Sequence, residues 1–243
     1  MPKRKASFNA IARMITLLSD EEQLALVDNP GALKVWTHEL LSDQRENEFV
    51  RPLSDREAIE ILPNLEQHVP RCRQLANEMD FRGKVFWRVK AGCTLKHHVP
   101  KLGPCHNDLK YIQNVNFNDE PTQDAVVFWS PRLMPGSVNR NVQEQMELLQ
   151  ETRKRLNLPP YWFSFFGPAS LNAALILAEY KQSGKRVPLD RHWARTDSRR
   201  SDVHRLSLGD FGEHGLVCDD WDWDDRRGDR IGCFALGVET LGS

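Results

Sequence analysis

Apolar residues recur at helical spacing over the first third of the chain, then fall into strand-like runs and helical stripes that alternate. Residues 6–80 read as helical. Ile11, Met14, Ile15 and Leu18 form an i, i+3, i+4, i+7 stripe. Ser19-x-x-Glu22 is a capping box for a short helix through Val27, and Gly31 to Leu41 reads as a third helix. Ser54-x-x-Glu57 is a second capping box, for a helix ending near Leu62. Pro70 suits a first helical turn, with Cys72, Leu75, Ala76 and Met79 on one stripe after it.

The period then changes. Val85–Val89 is rich in aromatic and β-branched residues and predicts a strand. Residues 91–124 read as loop. Ala125–Trp129 predicts a second buried strand, stopped by Pro131. A helix is expected from Val142 to Leu156, with Val142, Met146, Leu149 and Leu156 inward. After the aromatic run Tyr161–Phe166, a helix from Ala169 to Gln182 is apolar around most of its circumference and predicts the central core helix. Gly184 sits where a left-handed residue is wanted to end it. Val203–Leu208 and Leu216–Cys218 read as two short strands, and Ile231–Glu239 as a closing strand. The fold class is therefore α+β. The expected division is a helical region over 1–82 and a second domain over 83–243.

Charge narrows the list of partners. Lys plus Arg number 33 against 34 Asp plus Glu, for a net charge of −1 over 243 residues. No chain-wide grip on nucleic acid or an anionic membrane is expected. Neither a membrane-spanning run nor a signal-peptide core is legible, which predicts a cytoplasmic protein, with export by another route left open. Five Cys in a chain of this length predict reduced thiols, with Cys218 and Cys233 in the core.

Residues 197–231 differ from the rest. They carry nine Asp and six Arg, and no Lys, Gln, Met or Asn. Val203, Leu206, Leu208, Phe211, Leu216, Trp221 and Trp223 interrupt the charges as apolar anchors. A fixed apolar framework carrying varied polar side chains is what a binding face on a rigid scaffold requires.

The block Ser183–Asp197, the segment after it and the terminal Gly232–Glu239 together resemble the variable proteins of diversity-generating retroelements, which have a C-type lectin-like fold. In that family a reverse transcriptase copies a template RNA with errors at adenines, and codons varied this way do not reach Lys, Gln, Glu, Met or Trp. The resemblance covers roughly residues 125–243. It implies that Ala125–Trp129 pairs with Gly232–Glu239 and that the 142–156 and 169–182 helices pack on a small antiparallel sheet. It implies a non-catalytic protein without a cofactor that binds a protein or surface ligand through a diversified face. The residues implied are Ser198, Arg199, Arg200, Ser201, Asp202, His204, Ser207, Asp210, His214, Val217, Asp219, Asp220, Asp222, Trp223, Asp224, Asp225, Arg226, Asp229 and Arg230. Arg and Asp would supply charge-assisted bonds, with His204 and Trp223 as flat contact groups, Trp221 and Trp223 being fixed positions that do not vary. Leu206, Leu208, Phe211, Leu216 and Trp221 would point inward, and the N-terminal helices would serve oligomerisation or docking.

The alternative is a metal-dependent enzyme or zinc module using Cys93, His97, His98, Cys105 and His106, whose thiolates and imidazoles suit Zn²⁺. Asp220-x-Asp222-x-Asp224 resembles the start of a calcium loop, but Asp225 and Ile231 stand where an EF-hand requires Gly and Glu, which leaves only a looser carboxylate site.

Overall fold

Val50-Arg51-Pro52-Leu53 lies immediately before the Ser54 N-cap and is extended, as strand β1 (Val50–Leu53). The structure, a computed structural model, describes residues 49–106, 109 and 116–242. β1 runs antiparallel to β2 (Phe86–Val89), with Val50 opposite Val89 and Leu53 opposite Phe86. The expectation of helix throughout 6–80 is thereby corrected. A segment of four residues satisfies its backbone on a neighbouring strand more readily than in a single costly helical turn. The compact unit begins at Phe49. The boundary expected at 82/83 therefore falls inside it, because β1 shares a sheet with β2. The stripe at 11–18, the capping box at 19–22 and the helix at 31–41 lie outside the described residues.

The two helix-start predictions that follow hold. Helix α1 (Asp55–Ile61) starts on Ser54, whose backbone N–H and hydroxyl both donate to the Glu57 carboxylate at 2.7 Å. Helix α2 (Val69–Glu78) has Pro70 in its first turn. A short helix α3 (Val99–Leu102) occurs in the stretch expected to be loop.

The first sheet has the order β1-β2-β3-β8 and is antiparallel throughout, with β3 at Ala125–Leu133 and β8 at Phe234–Thr240. Ala125 faces Thr240 and Trp129 faces Leu236, so the two terminal apolar runs pair as expected. Side chains alternate across a strand, and here both faces are buried. Trp87, Val127, Trp129, Phe234 and Leu236 enter one core. Phe86, Val126, Phe128 and Ala235 enter another, beneath α1, α2 and helix α4 (Val142–Arg155). That double burial explains why the runs read as continuously apolar. Pro131 does not end β3. The strand passes through it with a register shift between Trp129 and Leu133, since Pro has no N–H to give the ladder.

Helix α5 (Ala169–Ser183) is the predicted central helix, with nine consecutive buried residues from Ala169 to Leu177. Gly184 ends it at φ 69°, its N–H bonded to the Tyr180 carbonyl. α5 packs in the first core against both sheets. The second sheet has the order β6-β5-β4-β7, with β4 at Trp193–Arg199, β5 at Arg205–Gly212, β6 at Gly215–Asp222 and β7 at Ile231–Gly232. The expected closing strand is thus divided at Cys233. Ile231 pairs parallel with Trp193 in one sheet, and Phe234 onward joins the other.

Two expectations follow for stability. A Cβ at Gly237 would lie 2.4 Å from the Trp162 indole, which is fully packed. Gly237→Ala is expected to destabilise the fold by about 2 kcal/mol or more in urea melts. The backbone N–H and hydroxyl of Ser54 lower the Glu57 carboxyl from 4.5 to about 2. A depressed carboxyl contributes stability above its unfolded value and loses it as pH falls through the folded one. Glu57→Gln is expected to flatten the loss of stability between pH 4.5 and 2, measured by melting at successive pH values.

Candidate functional site

β4, β5 and β6 form the framework of the Asp- and Arg-rich segment. Leu206, Leu208, Phe211, Leu216 and Cys218 drop into the first core, as expected of the apolar anchors, whereas Trp221 is only half-buried. The opposite face carries Arg195, Ser207 and Asp222, and these too are buried. Arg195 Nε donates to Asp222 Oδ2 at 2.7 Å and Nη2 to Oδ1 at 3.1 Å. The remaining donors reach the Arg140 carbonyl at 2.9 Å and the Arg226 carbonyl at 2.6 Å. One guanidinium therefore ties β4, the end of β6, the loop before α4 and the 223–230 loop together. Arg suits this position because its planar fork offers several fixed donors.

A second node lies beside it. Arg205, also buried, donates to Asp224 Oδ1 at 3.0 and 3.1 Å, to Asp197 Oδ1 at 3.1 Å and to the Thr196 carbonyl at 2.7 Å. Arg199 reaches the other Asp224 oxygen at 2.5 Å. Burial pushes the Asp224 carboxyl up, but Arg199 and Arg205 outweigh it and hold the group below its usual range. Arg200 pairs with Asp220, and Arg227 with Glu144 at 2.6 Å. The Arg226 guanidinium lies 3.5 Å from the Trp221 ring centroid and 4.8 Å from that of Trp223.

These contacts sort the expected site residues. Arg200, Ser201, Asp202, His204, Asp210, His214, Trp223, Asp225, Asp229 and Arg230 are exposed. Arg199, Asp219, Asp220, Asp224 and Arg226 are half-buried and braced. Ser198, Ser207, Val217 and Asp222 are corrections. Ser198 Oγ accepts the first N–H of α5 at 2.9 Å, so it caps a helix. The Ser207 hydroxyl donates to Asp222, whose carboxylate has no exposed surface. Val217 is only 9% exposed, and what it shows lines a groove at the hairpin end together with Asp210, His214 and Asp219. Val203 is corrected in the other sense. It was expected as an anchor, yet at 62% it is the most exposed large apolar residue among those described.

The exposed set also divides in space. His204 and Trp223 each lie one residue beyond the cross-strand pair Arg205–Asp222, at one end of β5 and β6. Asp210 and His214 lie toward the other end, with Asp210 six residues along from His204, about 20 Å on the rise of an extended strand. The exposed residues expected from the sequence thus lie toward two ends of β5 and β6, with half-buried Asp219 and Asp220 between them. The groove at the hairpin end has a volume of about 810 Å³; His106, Arg186, Asp190 and Trp193 help to line it, and the sequence reading had assigned none of these four to the ligand face. Asp210 has φ +44°, a conformation few side chains other than Gly, Asn and Asp adopt, so this position is restricted by its backbone.

The metal alternatives are not assembled. Cys93 is buried, its thiol pushed up to about 12 by burial. Burial likewise raises Cys105 to about 11, and its Sγ faces the Val99 carbonyl. His97 is exposed, His98 Nδ1 accepts from the Thr94 N–H at 3.1 Å, and His106 packs on His214. Asp220, Asp222 and Asp224 each meet a different guanidinium. Among the described residues no three His, Cys, Asp or Glu side chains converge as metal ligands. No helix among them is long and apolar enough to cross a membrane. No family model, curated protein or solved structure matches this chain.

The sorting predicts a contrast. Asp222→Ala leaves the Arg195 guanidinium buried without its counter-ion and is expected to cost about 3–5 kcal/mol. Asp225→Ala removes an exposed carboxylate and is expected to change stability by no more than about 0.5 kcal/mol. Chemical denaturation of the two variants beside the parent measures both.

Proposed function

We propose that this chain is a non-catalytic ligand-binding protein, with a C-type lectin-like module whose loop-end residues are diversified by a retroelement and recognise a protein or surface ligand. The observation that carries the reading is the layering of residues 198–230. A base of buried Arg195, Asp222 and Arg205, ion-paired with half-buried Asp224, underlies an exposed set of Ser201, Asp202, Val203, His204, Trp223, Asp225, Asp229 and Arg230. Trp223 is 43% exposed and Val203 62%, so folding leaves much of their apolar surface in water. An apolar centre with a polar rim on a rigid support is the anatomy of a recognition hot spot, where Trp and Arg dominate. Arg226 stacked on Trp223 restricts the indole before any ligand arrives, which lowers the ordering cost of binding. The absence of Lys, Gln, Met and Asn from 197–231 supports diversification at adenines only in part, since Asn is a residue such codons reach. The region before Phe49 is assigned the docking or oligomerising role.

Two observations test this. The DNA flanking the gene is expected to hold a reverse transcriptase gene and a near-copy of codons 197–231 that differs at adenines. Neither being present would remove the retroelement from the reading. Separately, a library randomised at Ser201, Asp202, His204, Asp225, Asp229 and Arg230 and displayed on yeast is expected to stay largely protease-resistant. Exposed positions change stability little. Widespread loss of resistance would mean that these residues hold the fold and are not a display surface.

A further inference from the structure

A second cavity has none of the Trp223-patch residues in its lining. It has a volume of about 400 Å³ and opens between the first sheet and the start of α5. Val89, Ala125, Val127 and Val238 of β2, β3 and β8 form its floor, and Phe165, Pro168 and Leu171 one wall. Glu120, Thr122 and Gln123 form the facing lip, and Asp197 contributes the carboxylate of β4. The lips are tied in place. The Ser170 hydroxyl donates to the Glu120 carbonyl at 2.6 Å, the Thr122 hydroxyl to the Lys90 carbonyl at 2.6 Å, and the Gly167 N–H to Asp197 Oδ2 at 2.8 Å. A concave apolar site with few polar groups, already held open, is the usual form of a small-ligand pocket, and this one is at the small end of the range.

Its charge selects the ligand. Among the described residues two acidic ones, Asp197 and Glu120, line the cavity, and no Lys, Arg or His does. Arg205 reaches Asp197 Oδ1 at 3.1 Å but is shared with Asp224. A carboxylate has about four acceptor positions, so Asp197 keeps capacity for another donor. Burial raises its carboxyl above the ordinary range in spite of Arg205 and the backbone N–H groups of Gly167 and Phe166. With Arg199 also on Asp224, two guanidiniums face the two carboxylates Asp197 and Asp224, so the negative charge left over at the cavity is that of Glu120. An anion would add to that imbalance, and a neutral hydrocarbon would leave it unchanged.

We propose that this cavity binds a small organic cation with an apolar body, an alkyl- or arylamine, with the ammonium at Asp197 and the hydrocarbon against Phe165, Leu171 and Val238. This site goes beyond the recognition face and does not depend on it. The probe is phenethylamine, titrated into the full chain and followed by amide NMR, with 3-phenylpropanoate as the acidic counterpart. Phenethylamine is expected to shift the amides of Gly167, Leu171 and Asp197 saturably, and the acid is not. Asp197→Asn is expected to weaken the amine about ten-fold, the effect of losing one charge-assisted hydrogen bond. Val238→Phe, which fills the cavity without altering charge, is expected to abolish binding, and it decides the matter should Asp197→Asn fail to fold. Trp223→Ala is expected to leave amine affinity unchanged. Acid binding as tight as the amine, unaltered affinity in Val238→Phe, loss of affinity in Trp223→Ala, or no saturable shift would each overturn the proposal.

Discussion

The Arg195–Asp222 pair is the constraint on which the C-terminal half depends. Both side chains are essentially without solvent access, so neither charge has water to fall back on. A buried pair of this kind adds little net stability compared with a well-packed apolar pair, but losing either partner strands the other. Its consequence is geometric. Because the guanidinium also takes the Arg140 and Arg226 carbonyls, the 223–230 loop has one position over the sheet. Asp224 and Arg226 then fall where Arg199, Arg205, Trp221 and Trp223 can meet them.

That arrangement separates holding from displaying. The inward side chains of β5 and β6 supply the hydrophobic stabilisation, and the ionic network on their other face supplies the register of the loop. What remains outside, the side chains of Ser201 to His204, Trp223, Asp225, Asp229 and Arg230, has little part in either. Residues free of structural duty are the ones a binding surface can vary. Asp210 is the exception at the far end of the hairpin, where the backbone itself limits the choice.

Elements whose partners are close in the chain were legible before the structure. The Ser54 and Gly184 caps, α4, α5 and the continuous apolar runs of β2, β3 and β8 all follow from local periodicity and local hydrogen bonding. β1 was missed because four residues carry too little pattern, and only a strand distant in sequence makes them extended. β4 was missed for a related reason. Its Arg195, Thr196 and Ser198 look like surface residues, and their burial rests on Asp222, the Leu206 carbonyl and the start of α5.

By itself the sequence determined the α+β class, the central helix and the two terminal apolar runs as strands, because hydrophobic periodicity is captured by a linear reading. The pairing of those runs was what the resemblance implied, and the structure shows it. Only the tertiary structure decided which charges in residues 197–231 are buried and which are displayed. Asp222 and Asp225 are the same residue type three positions apart. One lies under a guanidinium and the other in water, because burial is set by what folds over a side chain and not by the side chain's own chemistry.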